Sequence, residues 1–282
     1  MGAGYGSQFS RNSVKVGELT VQYLKGGQGK PLLYLHGIGG WGRWETYHLG
    51  MGVTNEVYAP QLPGWQMGKI PPSVTSVRDY AEIMLQFLDL LEIESVDLVA
   101  HSIGGWVALY MALEHPERIS RLVLVDPLGL DVPAHPAANF AQMDEDSFLT
   151  AAFAKTGVVL IAGDFGGQLE DVRTGPEFKR QWKGRGLVAQ LTNGQGVDPD
   201  LTHKLKSVSI PTLIVWGHED GLVPWQQGEV LANTIPHAKF ATIADASHSP
   251  MRDKRETFQH LVHSFLIGEE EDVETDAMVH VS

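Results

Sequence analysis

Apolar runs of strand length, alternating with helical stretches, predict an α/β fold: a mostly parallel central sheet flanked by helices. Three observations carry that expectation. The apolar runs are continuous, as in strands covered on both faces. A serine stands where one such run passes directly into a helical stretch. The alternation also lapses once, for about eighty residues between Leu128 and Ser207, which reads as an inserted helical cap. The expected layout is a flexible N-terminus over 1–13, an α/β core over 14–127 and 208–267, a cap insertion over 128–207, and an acidic disordered tail over 268–282.

The elements follow in order. Residues 19–23 are rich in strand formers, and 31–35 form a short apolar run ending in His36-Gly37. Residues 56–59 form another run, stopped by Pro60. Over 77–91, Val77, Tyr80, Ala81, Met84, Leu85, Leu88 and Leu91 recur at the spacing of one helical face. Residues 96–100 read as a buried strand and 103–114 as a helix that stops at His115-Pro116. Residues 121–125 form a strand closed by Asp126-Pro127. Within the lapse, 146–155 and 177–183 read as helical pieces. Strands return at 212–216 and 239–243, with helices at 225–233 and 251–266.

Composition narrows the function. The chain has 282 residues, 43% hydrophobic and 20% charged, enough to bury a sizeable core. Zero Cys excludes a disulfide scaffold, a thiolate zinc site, an iron–sulfur cluster and a Cys nucleophile. A formal charge of −13 argues against nucleic acid, which is bound through clustered Lys and Arg. Six of the 34 acidic residues lie in the tail, from Glu269 to Asp276. No apolar stretch approaches the ~18 residues of a membrane span, and 1–13 lacks the apolar core of a secretory signal. The expectation is a soluble, cytoplasmic monomer or homodimer with no membrane partner.

The strongest local motif is Ala100-His101-Ser102-Ile103-Gly104-Gly105. A sharp strand-to-helix turn has no room for bulk two residues on either side of its apex, which is why a nucleophile elbow is written G-x-S-x-G. Here Ala100 stands in the first small position. The competing reading of Ser102 is a helix N-cap. Upstream, His36-Gly37-Ile38-Gly39-Gly40 ends a strand in a Gly-rich turn that exposes backbone N–H groups. Such groups stabilise the negative charge of an acyl-transfer intermediate, and Ile38 and Ile103 would supply the two donors. A Ser hydroxyl needs a base, and the base an orienting partner. Asp220 sits in the strand-end loop Trp216-Gly217-His218-Glu219-Asp220, and His248 in the strand-end loop Ala244-Asp245-Ala246-Ser247-His248. Either alone is more often an ordinary residue.

Taken together, these motifs, with Gln61-Leu62-Pro63-Gly64-Trp65, resemble the α/β-hydrolase family over about residues 14 to 267, in that family's order of Ser, acid, His. The resemblance implies an α/β-hydrolase fold with an inserted cap, Ser102 as nucleophile, His248 as general base and acid, Asp220 as orienting carboxylate, oxyanion donors at Ile38 and Ile103, and no cofactor or metal. Three departures stand out. Ala100 replaces a usual Gly, Gln61 stands where Asp is common, and Ser247 precedes His248 where Gly is common. Asp126 is a rival for the acid, because some members place it after the preceding strand; the fuller loop favours Asp220. His36 is expected to brace the oxyanion turn locally. His101 is expected to pack at the elbow and border the substrate. Trp41, Trp65 and Trp225 would wall an apolar substrate pocket, while Trp106 and Trp216 go to packing. Phe140, Phe148, Phe153, Phe165 and Leu187 would close the site from above.

A Ser nucleophile disfavours the haloalkane and epoxide chemistries of Asp-dependent relatives. The leading expectation is hydrolysis of a small or medium apolar carboxylic ester or lactone. The alternative is hydrolysis of a C–C bond in a ring-cleavage diketone, left open by Arg43, Lys179, Arg180, Lys183 and Arg185 as carboxylate partners. A third reading, of another class, is a ligand receptor on the same fold.

Overall fold

The computed structural model describes residues 9–40, 44–65, 68–139, 142–152, 175–192, 194, 196–269 and 277–280. Its main sheet contains β1 (Phe9–Val16), β2 (Leu19–Gly27), β3 (Lys30–Leu35), β4 (Asn55–Pro60), β5 (Val96–His101) and β6 (Ile119–Val125). A short ladder, β7 (Gly129–Leu130) with β8 (Val197–Asp198), stands apart. β9 (Thr212–Gly217), β10 (Lys239–Ile243) and β11 (Ala277–His280) complete the main sheet in the order β1-β2-β4-β3-β5-β6-β9-β10-β11. From β4 to β10 every pairing is parallel, and the antiparallel pairs are confined to the two flanks.

The continuous apolar strands are buried as expected. Every residue of β5 and of β9 is buried. The sheet divides the interior in two. On one side the core packs α2 (Val77–Leu90) against α3 (Ile103–Glu114), and on the other α1 (Thr46–Met51) against α9 (Arg255–Ile267). α2 begins where expected because Ser76 and Asp79 form a reciprocal capping box. Its buried face repeats the sequence spacing from Val77 through Leu88. α3 is buried nearly all round and crosses the end of β3 closely. A Cβ on Gly104 would lie 2.6 Å from the Leu35 carbonyl oxygen, so this position admits only glycine without displacement.

Three expectations are corrected. The N-terminus is not flexible through residue 13: Phe9–Val16 pairs along its whole length with β2. Most of its side chains are exposed, so backbone bonding holds it and no apolar periodicity announces it. The tail is not wholly unstructured, since Ala277–His280 pairs antiparallel with β10. The single C-terminal helix is two, α8 (Pro250–Asp253) and α9, broken at Lys254. There Asp253 turns its carboxylate back to accept from the N–H and hydroxyl of Ser247. Between β6 and β9 the chain leaves the main sheet and supplies α4 (Glu145–Ala152), α5 (Pro176–Leu191) and α6 (Leu201–Lys204), and α7 (Gln226–Thr234) joins β9 to β10. Among the described residues no helix is long and apolar enough to cross a membrane.

The parallel strands place the turns after β3, β5, β6, β9 and β10 at one edge of the sheet. Adjacent registers such as Leu35↔Ala100 and His101↔Val125 align those ends. Ligand-handling residues gather at this edge in open α/β sheets.

Candidate active site

The β5–α3 junction is strained. Ser102 has φ 55° and ψ −118°, a positive φ that a residue with a Cβ occupies at a cost. It is held there by its amide donating to the Val125 carbonyl (2.9 Å) and its carbonyl accepting from Trp106 and Leu128 (3.2 and 3.1 Å). That geometry presents Oγ to the loop after β10. His248 Nε2 lies 2.8 Å from Ser102 Oγ, and His248 Nδ1 lies 2.7 Å from Asp220 Oδ2. The other carboxylate oxygen of Asp220 accepts from the amides of Leu222 and Val223 (2.8 and 3.0 Å). The carboxylate therefore faces His248 in one orientation. Nδ1–H donates to it, which leaves Nε2 bare to accept from the Ser hydroxyl. Ser102, His248 and Asp220 are all buried.

The rival acid is adjacent. Asp126, at φ 43°, accepts the Gly217 amide on Oδ1 (2.9 Å), and its Oδ2 is buried without a partner among the described residues. Burial, then the charge of Asp220, holds the Asp126 carboxyl well above the ordinary carboxylate range. The hydrogen bond to His248 Nδ1 is made by Asp220, at 2.7 Å. Donor atoms of Asp126, Asp220 and His248 lie within 4.8 Å of one another. The 2.7 Å hydrogen bond between Asp220 and His248 turns two of those atoms on each other, and a cation there would have to break it.

The Gly-rich turn after β3, expected to supply an oxyanion donor, is braced through its carbonyls. Gly37 O accepts from His36 Nδ1 (2.7 Å) and from the Gly40 amide (3.0 Å). In a trans peptide the N–H points opposite to the C=O, so anchoring Gly37 O aims the Ile38 N–H the other way. The doubly bonded Ser102 carbonyl does the same for the Ile103 N–H. His36 braces the turn as the sequence suggested. His101 lines the cleft and binds the His248 carbonyl through Nε2 at 2.6 Å, and so positions the base's backbone.

The tryptophans go elsewhere. Trp65 is buried edge-on against His36 and Tyr80, and its indole N–H donates to the Ile38 carbonyl (2.9 Å). It supports the Gly-rich turn after β3 and, against the expectation of a substrate wall, does not line the cleft. Trp225 stacks on His218 with ring centroids 5.1 Å apart, outside the residues that line the cleft. Trp41 lies outside the described residues, as do Phe140, Phe153, Phe165 and Arg43. Trp216 packs as expected and donates to the Val223 carbonyl (2.9 Å). The cleft is instead bordered by Tyr34, Tyr47, Met251 and Arg252 on the core side. Ala152 of α4 and Gln181 of α5 border it from the inserted segment. α5 rests directly on the oxyanion turn: a Cβ on Gly184 would stand 1.8 Å from the Ile38 carbonyl oxygen. α4 meets the acid loop through Gly221 N–H to Ala151 O (3.1 Å). Phe148, Phe178 and Trp182 clamp the two helices together, and Arg185 lies 3.8 Å over the Trp182 ring.

Sequence reasoning did not find this brace, because Trp65 acts through a contact with Ile38 that only folding creates.

The sequence profile described as the alpha/beta hydrolase family matches residues 32–259. Relatives include 2-hydroxymuconate semialdehyde hydrolase of Pseudomonas sp. (strain CF600), 28% identical, with 85% of this chain and 88% of that one covered. Another is 2-hydroxy-6-oxo-6-phenylhexa-2,4-dienoate hydrolase of Comamonas testosteroni, 26% identical over 92% of this chain and 96% of that one. Among solved structures, carboxylesterase CesB of Bacillus subtilis superposes with a TM-score of 0.73 at 19% identity, covering 94% of both chains.

Two predictions follow from these contacts. Gly184→Ala should lower turnover about tenfold or more by pushing α5 off the oxyanion turn, in line with the cost of disturbing a single oxyanion donor. Gly186→Ala, on the same helix with nothing within 4 Å of its Cβ, should keep activity and gain up to about 1 kcal/mol in urea unfolding. The second prediction concerns acid. Burial lowers His36 from 6.5 to about 4 and His48 to about 3, and holds His101 well below the ordinary range, with the nearby His248 adding to the effect. Unfolded imidazoles take up protons below pH 6.5 that the native ones refuse. The stabilisation from neutral His36, on the order of 3 kcal/mol, is complete above pH 6.5 and is lost on descent to about pH 4. Urea midpoints should therefore fall steadily between pH 7 and pH 5; a flat profile would contradict the buried neutral histidines.

Proposed function

Because the chain belongs to the alpha/beta hydrolase family, we propose that it is a serine hydrolase that cleaves a small carboxylic ester or lactone through an acyl-enzyme on Ser102. The observation that carries this reading is the hydrogen-bonded relay from Ser102 Oγ through the His248 ring to Asp220, at 2.8 and 2.7 Å. Ser102 Oγ adds to the substrate carbonyl carbon while its proton passes to His248 Nε2. Asp220 holds the Nδ1–H and stabilises the imidazolium. The oxyanion is held by the Ile38 and Ile103 amides. His248 returns the proton to the leaving oxygen, then activates water to release the acid. The inserted helices α4 and α5 act as the cap over this cleft.

A second reading is favoured by the names of the relatives. With Pseudomonas and Comamonas C–C hydrolases at 28% and 26% identity over most of the chain, the same relay would cleave the C–C bond of a ring-cleavage diketone. Both readings share the hydrolase chemistry and differ in the leaving group.

The test is a panel of p-nitrophenyl esters, lactones and ring-cleavage diketones, run on the wild type and three variants. Ser102→Ala should lose several orders of magnitude on every substrate turned over, and a fluorophosphonate should label wild-type Ser102. Asp220→Asn should cost about 10⁴-fold, whereas Asp126→Asn should cost less than tenfold, because Asp220 and not Asp126 bonds the His248 ring. Turnover of diketones alone would replace the ester reading with the C–C one. No turnover and no labelling would sink both in favour of a receptor.

A further inference from the structure

The end of β6 holds a buried carboxyl that the relay does not use. Asp126 is wholly buried, and its backbone is held at a positive φ of 43° with its N–H donating to the Val215 carbonyl at 3.1 Å. One carboxyl oxygen, Oδ1, accepts the Gly217 amide at 2.9 Å. The other, Oδ2, is buried and has no partner among the described residues. Beside it stands a second carboxyl. An oxygen of Asp126, an oxygen of Asp220 and a ring nitrogen of His248 lie within 4.8 Å of one another, and the two carboxyls are close enough to hydrogen-bond. Two bare carboxylate oxygens facing each other in a dry site repel, and a proton between them turns the repulsion into a hydrogen bond.

We infer that Asp126 is a positioning residue for the relay acid: it holds a proton on Oδ2 and donates it to the Asp220 carboxylate, while its Oδ1 keeps the Gly217 amide. The surrounding donors decide which carboxyl carries the proton. Among the described residues Asp220 accepts from three, the Leu222 and Val223 amides on Oδ1 and the His248 Nδ1–H on Oδ2. Asp126 accepts from one. Donors favour the charged form of a carboxyl, and burial without them favours the neutral form. The anion therefore rests on Asp220 and the proton on Asp126. The charge of Asp253, on α8, acts on Asp126 in the same direction. Asp220 is then gripped from two sides, by the amides of its own loop and by the acid at the end of β6. Turning its carboxylate away from His248 would break both sets of bonds. An asparagine at 126 can reproduce this grip, its carbonyl oxygen accepting from Gly217 and its NH₂ donating to Asp220; a leucine can do neither. The inference deepens the hydrolase reading and rests on it for the effect on turnover, but the proton on Asp126 does not.

Three measurements on the full-length protein separate those parts. Infrared spectra near neutral pH report a protonated carboxyl as a C=O stretch apart from the carboxylate bands. The wild type should show such a band, and Asp126→Asn should remove it. The low-field proton resonance of His248 Nδ1–H, assigned by its loss in His248→Gln, reports how strongly Asp220 accepts. It should stay near the wild-type position in Asp126→Asn and move downfield in Asp126→Leu, where the carboxylate has one donor fewer. The rate of fluorophosphonate labelling at Ser102 should fall less than tenfold in Asp126→Asn and about a hundredfold in Asp126→Leu, the scale of a lost hydrogen bond to a charged group. A wild type without the band, or a band that survives in Asp126→Asn, would overturn the proton on Asp126, and this holds even if Asp126→Leu does not fold. A band that behaves as expected, with Asp126→Leu matching Asp126→Asn in resonance and labelling, would overturn the grip on Asp220. An unlabelled wild type would instead remove the hydrolase reading, and the band and the resonance would still decide the role of Asp126.

Discussion

The site depends on the backbone of Ser102 being forced to φ 55° between β5 and α3. An L-residue in this conformation is unfavourable by about 1–3 kcal/mol, and it survives only because neighbours over-determine it. Strand pairing with β6 fixes the chain on one side, and α3 fixes it on the other. The glycine at 104 lets that helix lie against the Leu35 carbonyl. The strain buys an Oγ lifted clear of both elements and an Ile103 amide aimed by the doubly bonded Ser102 carbonyl. Loosening either support would let Ser102 relax and separate its Oγ from His248.

Around this turn the protein removes charge wherever it does not need it. His36, His48 and His101 are buried with their basicity lowered, and burial beside Asp220 pushes the Asp126 carboxyl well above the ordinary carboxylate range. In a low-dielectric site, a second carboxylate charge next to Asp220 or an imidazolium next to His248 would compete with the relay. Neutral neighbours can orient it without competing. Gln61 and Trp65 work in the same way, with uncharged N–H donors holding backbone and ring atoms. The inserted segment joins the arrangement through glycines: Gly184 admits α5 onto the Ile38 carbonyl, and Gly221 admits α4 onto the acid loop.

Much of this was legible in the sequence, and the parts that were share a physical cause. β5, β9 and α2 were readable because local pattern and burial coincide there. Ser102, Asp220 and His248 were readable because each ends or follows a strand, and a parallel sheet gathers such ends at one edge. β1 was not readable: its pairing is carried by backbone bonds to β2, which leave no trace in side-chain periodicity. The fate of Trp65 and Trp225 was not readable either. A large aromatic near a site can wall it or brace it, and only the position of its neighbours distinguishes the two.

The sequence by itself determined the fold class and the placing of Ser102, Asp220 and His248 at strand ends, since these follow from local pattern. Only the tertiary structure showed that the His248 ring bonds Asp220 while Asp126 takes the Gly217 amide, because both carboxyls reach the same end of the sheet. It alone placed Trp65 on the Ile38 carbonyl, α5 against the same carbonyl, and the Gln61 side chain beside His36. Each is a contact between residues far apart in the chain, created by packing and directed by hydrogen-bond geometry.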